Sequence, residues 1–515
     1  MTSSELPEAV APVRHSDDDH LRALGYEPKL DRKINLIANF ALGFLYLSPM
    51  VGVVALFGLG MTTAGPPSIL WILLVGLGML TVALVFGEVV SQFPIAGGLY
   101  QWTRRLWNGR AAWLMSWIYI GCLTVGITST ALFSSGFVAS LLFGTEDEPS
   151  IAATPIMTLV ITLSVLAIGL FFNLSGSKAL ARICKIGLAG ELFGIIVVGL
   201  YLILFQRKND FSVFFDSMGS AGEGSYLAAF IGASLVGLYL YYGFEACGEV
   251  AEETPNPARS IPRSMILTVT VGGIAAIFAF AGYVLAAPNL QGIVDGADAN
   301  PIPTILQSTL GTAGMKIFLV VILISFLAGV MGQQTAVSRL VYSFARDEMF
   351  PGSRVIAKTG KKHHIPYNAL LITNILPVIL VVYVYFSPDS LFRIAAFQVL
   401  AGYCAFAIVV LAALRARTKG WRPAGLFALG RWGTVANVVA LLYLLGGMII
   451  LGKPDLATEG LAWYDRWIAL LGFGIVALTG LAYLLIAKPD RHSTAPQGDA
   501  IEIADRLRRG VMPAE

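Results

Sequence analysis

The sequence is organised around residues 239–249, which read YLYYGFEACGE and lie inside an apolar segment that begins near Tyr226. In a lipid bilayer a buried carboxylate is costly, and an interrupted helix is tolerated only where it faces protein or a water-filled cavity. This stretch has both features, because Gly243 and Gly248 can interrupt a helix and Glu245 lies between them. The pattern predicts two half-helices that meet near mid-membrane and frame a binding site. The alternative is that the glycines are packing contacts and Glu245 is a hydrogen-bonded core acid, since glycine is frequent in membrane helices.

The composition indicates a membrane protein with many spans. Of the 515 residues, 56% are hydrophobic and 13% are charged, whereas about a quarter of a soluble domain is charged. No short apolar core with a small-residue cleavage site precedes residue 34, so the first span is expected to act as its own signal. Cys122, Cys184, Cys247 and Cys404 all fall in apolar segments without CxxC spacing. We therefore expect small buried thiols, no disulfide framework, no metal site and no cofactor.

Apolar windows long enough to cross about 30 Å of hydrocarbon recur twelve times. The predicted spans, numbered 1 to 12 from here on, are 34–62, 67–92, 110–143, 152–173, 180–206, 225–253, 264–287, 313–343, 367–386, 390–413, 433–452 and 465–487. An even number of spans places both termini on one side of the membrane. With the termini and the even-numbered connections in the cytoplasm, 28 of the 35 Lys and Arg residues lie on the cytoplasmic side. We therefore predict a multi-pass protein of the cell membrane with both termini in the cytoplasm.

The chain shows no separate soluble domain. Residues 1–33 and 488–515 are predicted to be cytoplasmic tails with partial disorder, and residues 34–413 and 414–487 to be a core and two further spans. Basic residues at 506, 508 and 509 suit a solvated tail near an anionic leaflet, so the lipid bilayer is an expected partner and nucleic acid is not.

Interruptions recur at corresponding places in two halves of the chain. Span 1 contains YLSPMVG at 46–52, where Pro49 lacks an N–H donor and clashes with the carbonyl four residues earlier. Span 6, five spans later, contains the Gly243 interruption. Matching breaks of this kind indicate an inverted repeat whose binding site lies where the broken helices meet. The predicted fold is an all-α integral membrane protein of twelve helices, with spans 1–5 and 6–10 as inverted repeats and spans 11 and 12 added.

Several stretches resemble the amino acid/polyamine/organocation permeases over roughly residues 25–420. They are FGEVVSQFPIAGGLYQW at 86–102, GFE at 243–245, EETPNP at 252–257, IPR at 261–263, SRLVYSFARD at 338–347 and PGS at 351–353. In that superfamily the corresponding motifs follow helices 2, 6 and 8. The entry segments LGYE at 24–27 and NFALGFLYLSP at 39–49 are most similar to the amino acid/choline transporter branch.

The resemblance implies a secondary active transporter that imports a small amine-bearing solute by alternating access. Amino acids, 4-aminobutyrate, polyamines and choline all fit, since members of the branch move small amines and amino acids. The alternatives on the same fold are a substrate exchanger, a sodium-coupled carrier and a nutrient sensor that binds without transport; a channel is a further alternative. An enzyme is not expected, because the histidines at 15, 20, 363, 364 and 492 lie in tails or loops and form no HExxH motif.

The predicted substrate-binding residues surround the two breaks. They are Ser48, Pro49, Met50, Val51 and Gly52 of span 1 and Tyr242, Gly243, Phe244 and Glu245 of span 6. The amides after Pro49 lie at the positive end of a half-helix and are expected to bind a substrate carboxylate. Carbonyls at the end of the first half of span 6 would bind the ammonium, and Glu245 would add a countercharge for a cation. Phe244 and one of Tyr241 or Tyr242 would close over the substrate, or else pack as ordinary core aromatics. Bulky replacements of Gly52 or Gly243 are expected to block transport.

Glu191 is the candidate coupling residue. It lies in GLAGELFG at 187–194 of span 5, where many relatives in the superfamily carry a lysine in place of a sodium ion. A carboxylate cannot mimic a cation, so Glu191 either binds sodium or carries a proton, and burial favours the protonated form. A proton is favoured over sodium, because the only oxygen-rich run we find nearby is QQT at 333–335 with Ser338. The alternative is a static hydrogen-bonded acid.

Acidic residues near the inner ends of the spans predict a gate. The predicted cytoplasmic gate comprises Glu88, Glu249, Glu252, Glu253, Arg339 and Arg346, with Arg104 and Arg105 as further possible partners. Glu245, Glu249 and Glu252 are spaced i, i+4, i+7, which on a helix puts them on one face. They could instead form an acidic path to the cytoplasm. Buried pairs of this kind set positions more than they add stability.

Overall fold

The computed structural model describes residues 16–28, 32–175, 177–298, 300–360, 365–387, 390–453, 463–493 and 495–509, apart from the side chains of 177–184 and 465. His15, His363 and His364, together with the side chain of Cys184, lie outside the described residues. Eleven helices in the described chain are long and apolar enough to cross a membrane. Span 6 is the exception because it is broken into short pieces, so the twelve predicted spans and the all-helical fold are confirmed.

The spans have the following bounds. They are Leu36–Leu47 and Pro49–Ala64 (span 1), Pro66–Ile69 and Leu70–Gln92 (span 2), Gly109–Phe143 (span 3), Pro155–Leu174 (span 4), Ser177–Leu192, Phe193–Val198 and Gly199–Phe205 (span 5), Tyr226–Gly232, Leu235–Leu238 and Ala246–Glu249 (span 6), Pro257–Ala286 (span 7), Pro301–Arg346 (span 8), Tyr367–Thr373 and Ile375–Phe386 (span 9), Leu391–Thr418 (span 10), Gly433–Leu451 (span 11) and Ile468–Ala487 (span 12). Shorter helices and turns cover Asp17–Ala23, Gly98–Leu106, Phe211–Phe215, Ala251–Glu253, Leu290–Val294, Ser353–Ile356, Gly430–Trp432, Trp463–Arg466, Pro489–Arg491 and Ala500–Arg509.

Span 1 lies at the centre of the bundle and span 12 at its edge. In the most apolar part of span 1, 83% of the residues are buried inside the protein, against 11% in span 12. Spans 3 and 10 are also mostly buried. The breaks in spans 1 and 6 therefore sit among protein rather than lipid, which is where an interrupted backbone is tolerated.

The break in span 1 is one residue wide. Ser48 adopts a left-handed conformation with φ of 42°, and Pro49 opens the second half of the span. A proline suits the first position of a helix, because its missing N–H is not needed there and its φ is already helical. Ser48 also caps the new helix, since its Oγ accepts a hydrogen bond from the amide of Val51 at 3.4 Å.

The break in span 6 is wider and depends on Gly243. Regular helix ends at Leu238 and resumes only at Ala246, and Gly243 has a φ of +106°. A Cβ built on Gly243 would lie 2.4 Å from the amide nitrogen of Leu47 in span 1. The glycine is therefore required twice, by its own backbone conformation and by the direct contact between the two broken spans.

The second half of span 6 is shorter than the sequence predicted. It is a single turn, Ala246–Glu249, followed by the 3₁₀ turn Ala251–Glu253. The backbone bonds here include that from the Gly248 amide to the Glu245 carbonyl at 2.8 Å, and Asn39 of span 1 also donates to the carbonyl of Cys247 at 2.9 Å. One helical turn connects Glu245 to Glu249, but Glu252 lies in the separate 3₁₀ turn. The expectation that the three acids share one helix face is therefore wrong for Glu252, because no continuous helix connects it to the other two.

The described parts of both tails pack on the protein. Arg105 is fully buried, where it pairs with Asp499 of the C-terminal tail and donates to the carbonyl of Leu24 in the N-terminal segment. Arg104 donates to the carbonyls of Ala495 at 2.7 Å and Pro496 at 3.1 Å. Buried guanidinium groups require acceptors, and these parts of the tails supply them. Both tails consequently lie on the same face of the molecule.

We predict that Gly243→Ala destabilises the protein strongly. The substitution adds backbone strain of about 1–3 kcal/mol at a positive φ, and its methyl group also collides with the backbone of span 1. The expected result is an apparent melting temperature in detergent several degrees below that of the parent, with reduced transport. Gly446→Ala is the matched control, because no atom lies within 4 Å of its added Cβ. Equal stability of Gly243→Ala and the parent would contradict the tight contact between spans 1 and 6.

We also predict that Asp499→Ala loosens the C-terminal tail. The change leaves the buried Arg105 without its carboxylate and should cost about 2–3 kcal/mol, somewhat less than removing a partner from a fully buried pair. Asp505→Ala is the control, since its 2.7 Å pair with Arg508 is exposed and should contribute less than about 1 kcal/mol. Thermal unfolding and limited proteolysis of the tail provide the measurement. Equal effects of the two substitutions would show that the tail does not depend on Arg105.

Candidate functional site

A closed cavity lies at the point where the two broken spans meet. Residues from spans 1, 3, 6, 8 and 10 line it: Tyr46, Leu47, Ser48, Val51, Gly52, Thr130, Tyr239, Tyr242, Gly329, Gln333 and Gln398. The centre of a water molecule can move within about 20 Å³ of this space, which is room for one or two waters. A solute of several heavy atoms therefore requires the surrounding helices to separate.

The cavity wall is polar but uncharged. None of the residues that line it is acidic or basic. Gln333 donates to Thr130 at 3.0 Å, and its buried Oε1 has no hydrogen-bond partner. Gln398 accepts a hydrogen bond from Ser129 at 2.6 Å. Tyr46, Tyr239 and Tyr242 also line the cavity, so its wall combines aromatic and amide side chains.

Glu191 lies directly behind the cavity at the break in span 1. One carboxylate oxygen, Oε1, accepts hydrogen bonds from the Ser48 hydroxyl at 2.8 Å and from the Met50 amide at 3.1 Å. The other, Oε2, is buried and has no partner, and the residue is fully buried. Span 5 widens into a π-helical turn, Phe193–Val198, two residues later. Such turns interrupt regular helices and are frequent at functional sites.

The amides that were expected to bind a substrate carboxylate already have acceptors. The Met50 amide bonds to Glu191, the Val51 amide to the Ser48 hydroxyl, and the Gly52 amide to the Ser48 carbonyl at 3.0 Å. The positive end of the half-helix is thus occupied by a carboxylate of the protein itself. The half-helix and the buried acid Glu191 were both predicted from the sequence, but the contact between them was not.

Glu245 caps the break in span 6 in a similar way. Its Oε1 accepts from the Tyr119 hydroxyl at 2.6 Å and its Oε2 from the Gly243 amide at 3.0 Å. The side chain is fully buried and does not line the cavity. Phe244 packs with Phe406, their ring centroids 5.7 Å apart, as part of an aromatic cluster beside the cavity.

Four of the predicted substrate-binding residues line the cavity, namely Ser48, Val51, Gly52 and Tyr242. The other five, Pro49, Met50, Gly243, Phe244 and Glu245, are not among the lining residues and belong to the backbone and side chains around the two breaks. Tyr241, the alternative aromatic lid, bonds instead to the carbonyl of Ile72 at 2.7 Å. The binding roles of all nine remain predictions.

The predicted gate residues are only partly brought together. Glu253 and Arg339 form an ion pair at 3.7 Å. Arg346 lies 3.9 Å from Asp347 and stacks over the ring of Tyr26 at 4.9 Å. The Glu253–Arg339 pair joins spans 6 and 8, as expected for the gate. Arg346 instead contacts the N-terminal segment through Tyr26.

The other acids of the predicted gate, Glu88, Glu252 and Glu249, differ from one another in their contacts. Glu88 pairs with Arg417 of span 10 rather than with any of the four arginines proposed for it. Glu252 accepts a hydrogen bond from the Ala96 amide at 3.1 Å. Neither carboxylate oxygen of Glu249 has a hydrogen-bond partner, although the residue is only 3% exposed. Arg104 and Arg105 are engaged by the tails and are not available to these acids.

The oxygen-rich run on span 8 is used for packing. Gln334 donates to Asn374 at 2.7 Å, and Thr335 donates to Asn173 at 2.6 Å. These bonds connect span 8 to spans 4 and 9. Gln334 and Thr335 of the run on which the sodium alternative depended are therefore satisfied by protein groups, whereas the Gln333 Oε1 is not.

Sequence reasoning missed several residues of the site. Thr130, Tyr239 and Gln398 line the cavity, and Tyr119 holds Glu245. Of these residues, Gln398 gave the clearest signal in the sequence, because an amide inside an apolar span is costly unless it has a partner or a function. The hydroxyl residues gave no such signal, since Ser, Thr and Tyr are common in membrane helices.

Comparisons with known proteins agree with this architecture. A family model described as amino acid permease matches residues 37–480. The amino-acid permease BAT1 of Arabidopsis thaliana is 25% identical over 519 residues, which cover 93% of this chain and 96% of that protein. A BAT1 homolog of Oryza sativa subsp. japonica is 26% identical, with coverage of 88% and 91%. The polyamine transporter TPO5 of Saccharomyces cerevisiae is 22% identical, with coverage of 92% and 79%.

The family match covers most of the chain, including all twelve spans except the end of the last. The relatives named above are permeases and transporters along nearly their whole length. The chain therefore belongs to the amino acid permease family and is a membrane-spanning permease rather than an enzyme.

Proposed function

We propose that this protein imports a small amine-bearing solute across the cell membrane by proton symport and alternating access. The observation that carries the proposal is the contact of Glu191 with the break in span 1, where one carboxylate oxygen holds the half-helix and the other has no partner. Relatives named as amino-acid permeases and polyamine transporters support an amine or amino acid as the solute. Both termini lie in the cytoplasm, in keeping with the distribution of Lys and Arg.

The solute binds in the cavity between the broken spans. Opening toward one side separates span 1 and span 6 from spans 3, 8 and 10 and enlarges a space that now has room for only one or two waters. The tyrosine rings and the free Gln333 oxygen then contact the solute, and cation–π attraction adds about 0.5–2 kcal/mol for a desolvated ammonium. The Glu253–Arg339 pair and the other inner-end acids, Glu88, Glu249 and Glu252 with Arg346, close the cytoplasmic side.

Glu191 carries the coupling proton. A carboxylate that is fully buried, with one of its oxygens unbonded, is costly by several kcal/mol, and a proton on Oε2 removes that cost. Coupling requires that water reaches Glu191 in only one of the two open states, so that protonation stabilises one state over the other. Movement of the half-helix that begins at Pro49 changes that access, because its first amide is bonded to Glu191.

The first test of this proposal is Glu191→Gln in proteoliposomes. The variant mimics the protonated carboxyl, so it should exchange substrate across the membrane while losing accumulation driven by a pH gradient, by at least about tenfold. Glu502→Gln is the comparison, because Glu502 is an exposed acid of the C-terminal tail that pairs with Arg506 and has no part in the proposed site or gate. We expect Glu502→Gln to retain pH-driven accumulation. Accumulation by the parent that follows a sodium gradient and ignores the pH gradient would rule out proton symport.

We further propose that Glu245 favours cationic solutes. Its carboxylate lies three residues along the chain from cavity-lining Tyr242 and accepts a hydrogen bond from the Gly243 amide at 3.0 Å, and in a membrane interior that charge is weakly screened. Glu245→Gln should lower uptake of cationic candidates relative to neutral ones by about tenfold, equivalent to about 1.4 kcal/mol. Tyr119→Phe is the control, because it removes the 2.6 Å hydrogen bond and leaves the charge. If Glu245→Gln keeps the parent's relative efficiencies, the acid only holds the break.

A further inference from the structure

We infer that this permease selects organic cations that carry no carboxylate, and that Glu191 enforces the selection by filling the place where a substrate carboxylate would bind. The inference rests on the proposed function and names the substrate class of the same site. It follows from two independent features, the occupied half-helix end and the uncharged cavity wall.

The first feature is that the anion-binding end of span 1 is already full. The half-helix Pro49–Ala64 is long enough to present a positive end, and an acid is the natural ligand there. The ligand in this protein is the Glu191 carboxylate, bonded to the Met50 amide and the Ser48 hydroxyl. The next two amides bond to Ser48. A substrate carboxylate would find no free donor and would meet a negative charge.

Protonation of Glu191 does not free the end of the half-helix for a substrate carboxylate. A protonated carboxyl keeps a carbonyl oxygen, which continues to accept hydrogen bonds, while the other oxygen carries the proton. The two carboxylate oxygens of Glu191 already differ in this way. Oε1 accepts both hydrogen bonds, whereas Oε2 has no partner and is the oxygen that would carry the proton. The end of the half-helix is therefore occupied in both the charged and the neutral state.

The second feature is the chemistry of the cavity. Its wall has no Lys, Arg or His side chain to balance a carboxylate. It does have three tyrosines, Tyr46, Tyr239 and Tyr242, whose rings suit an ammonium group as a cation–π surface once the helices separate. A carboxylate moved into this space would lose its hydration without gaining a charged partner, whereas an ammonium would gain partners.

The test compares solutes that differ by one carboxylate. Putrescine and ornithine, cadaverine and lysine, and agmatine and arginine form three such pairs, measured by counterflow in proteoliposomes so that no ion gradient is needed. We expect each amine to reach half-maximal exchange at a concentration at least tenfold below that of its amino acid. Lysinamide, which keeps the size of lysine without the negative charge, should behave like cadaverine.

Two variants of Glu191 assign the selection to this residue. Glu191→Gln retains an oxygen that accepts the same two hydrogen bonds, so it should keep the preference for the amine. Glu191→Ala empties the half-helix end, so the amino acid should gain at least tenfold relative to its amine. An unchanged preference in Glu191→Ala would contradict the role of Glu191. If that variant does not fold, the parent and Glu191→Gln still decide, because both must prefer the amine.

The outcomes separate the inference from the proposed function. Exchange of lysine, ornithine or arginine as efficiently as their amines would overturn the inference and leave amine transport standing. Exchange of none of the six solutes by a stably folded parent would contradict the proposed function, and the inference would fall with it.

Discussion

The structure depends on satisfying interrupted backbone inside a membrane. Spans 1 and 6 each expose amide groups where their helices break, and water is not available there to bond to them. In both cases a buried glutamate from the protein accepts the bond: Glu191 for the Met50 amide, and Glu245 for the Gly243 amide. Each acid is in turn held by a hydroxyl, that of Ser48 or Tyr119. At both breaks, therefore, a buried carboxylate accepts the hydrogen bond of an interrupted backbone. Glu191 reaches the break in span 1 from span 5, whereas Glu245 belongs to the break in span 6 itself.

The location of the breaks could be read from the sequence because its causes are local. Pro49 cannot continue a helix, and Gly243 adopts a backbone conformation that other residues avoid, so both act wherever the chain places them. The acids were also conspicuous, since a carboxylate in an apolar span is rare. The hydrogen-bond partners of these acids could not be predicted from the sequence, because whether Glu191 faces Ser48 depends on how span 5 is rotated against span 1. The same limit explains the second half of span 6, where one helical turn is followed by a 3₁₀ turn and Asn39 of span 1 bonds to the Cys247 carbonyl.

The end of the bundle that carries the predicted gate differs from expectation for a related reason. Sequence spacing suggested that acids on span 6 would pair with the nearest arginines, but a buried arginine takes whichever acceptors surround it. Arg105 is surrounded by both tails, and Glu88 is nearest to Arg417 on span 10. Glu253 and Arg339 form an ion pair, and Arg346 and Glu252 interact electrostatically. The described parts of the tails supply acceptors to Arg104 and Arg105, a requirement that composition does not record.

The contacts of span 1 divide into two kinds, and only one kind can respond to a proton. Its contacts with span 6 are close and apolar or backbone in nature: a Cβ on Gly52 would lie 2.5 Å from the Leu240 side chain, and one on Gly243 would lie 2.4 Å from the Leu47 amide nitrogen. Close packing of this kind is not altered by protonation, so the two broken spans are held together in any charge state. The contact with span 5 is instead a carboxylate that bonds to a hydroxyl and an amide. A change in its charge would alter the strength of those bonds at the break in span 1, so under the proposed proton coupling the responsive contact lies where the two halves of span 1 meet.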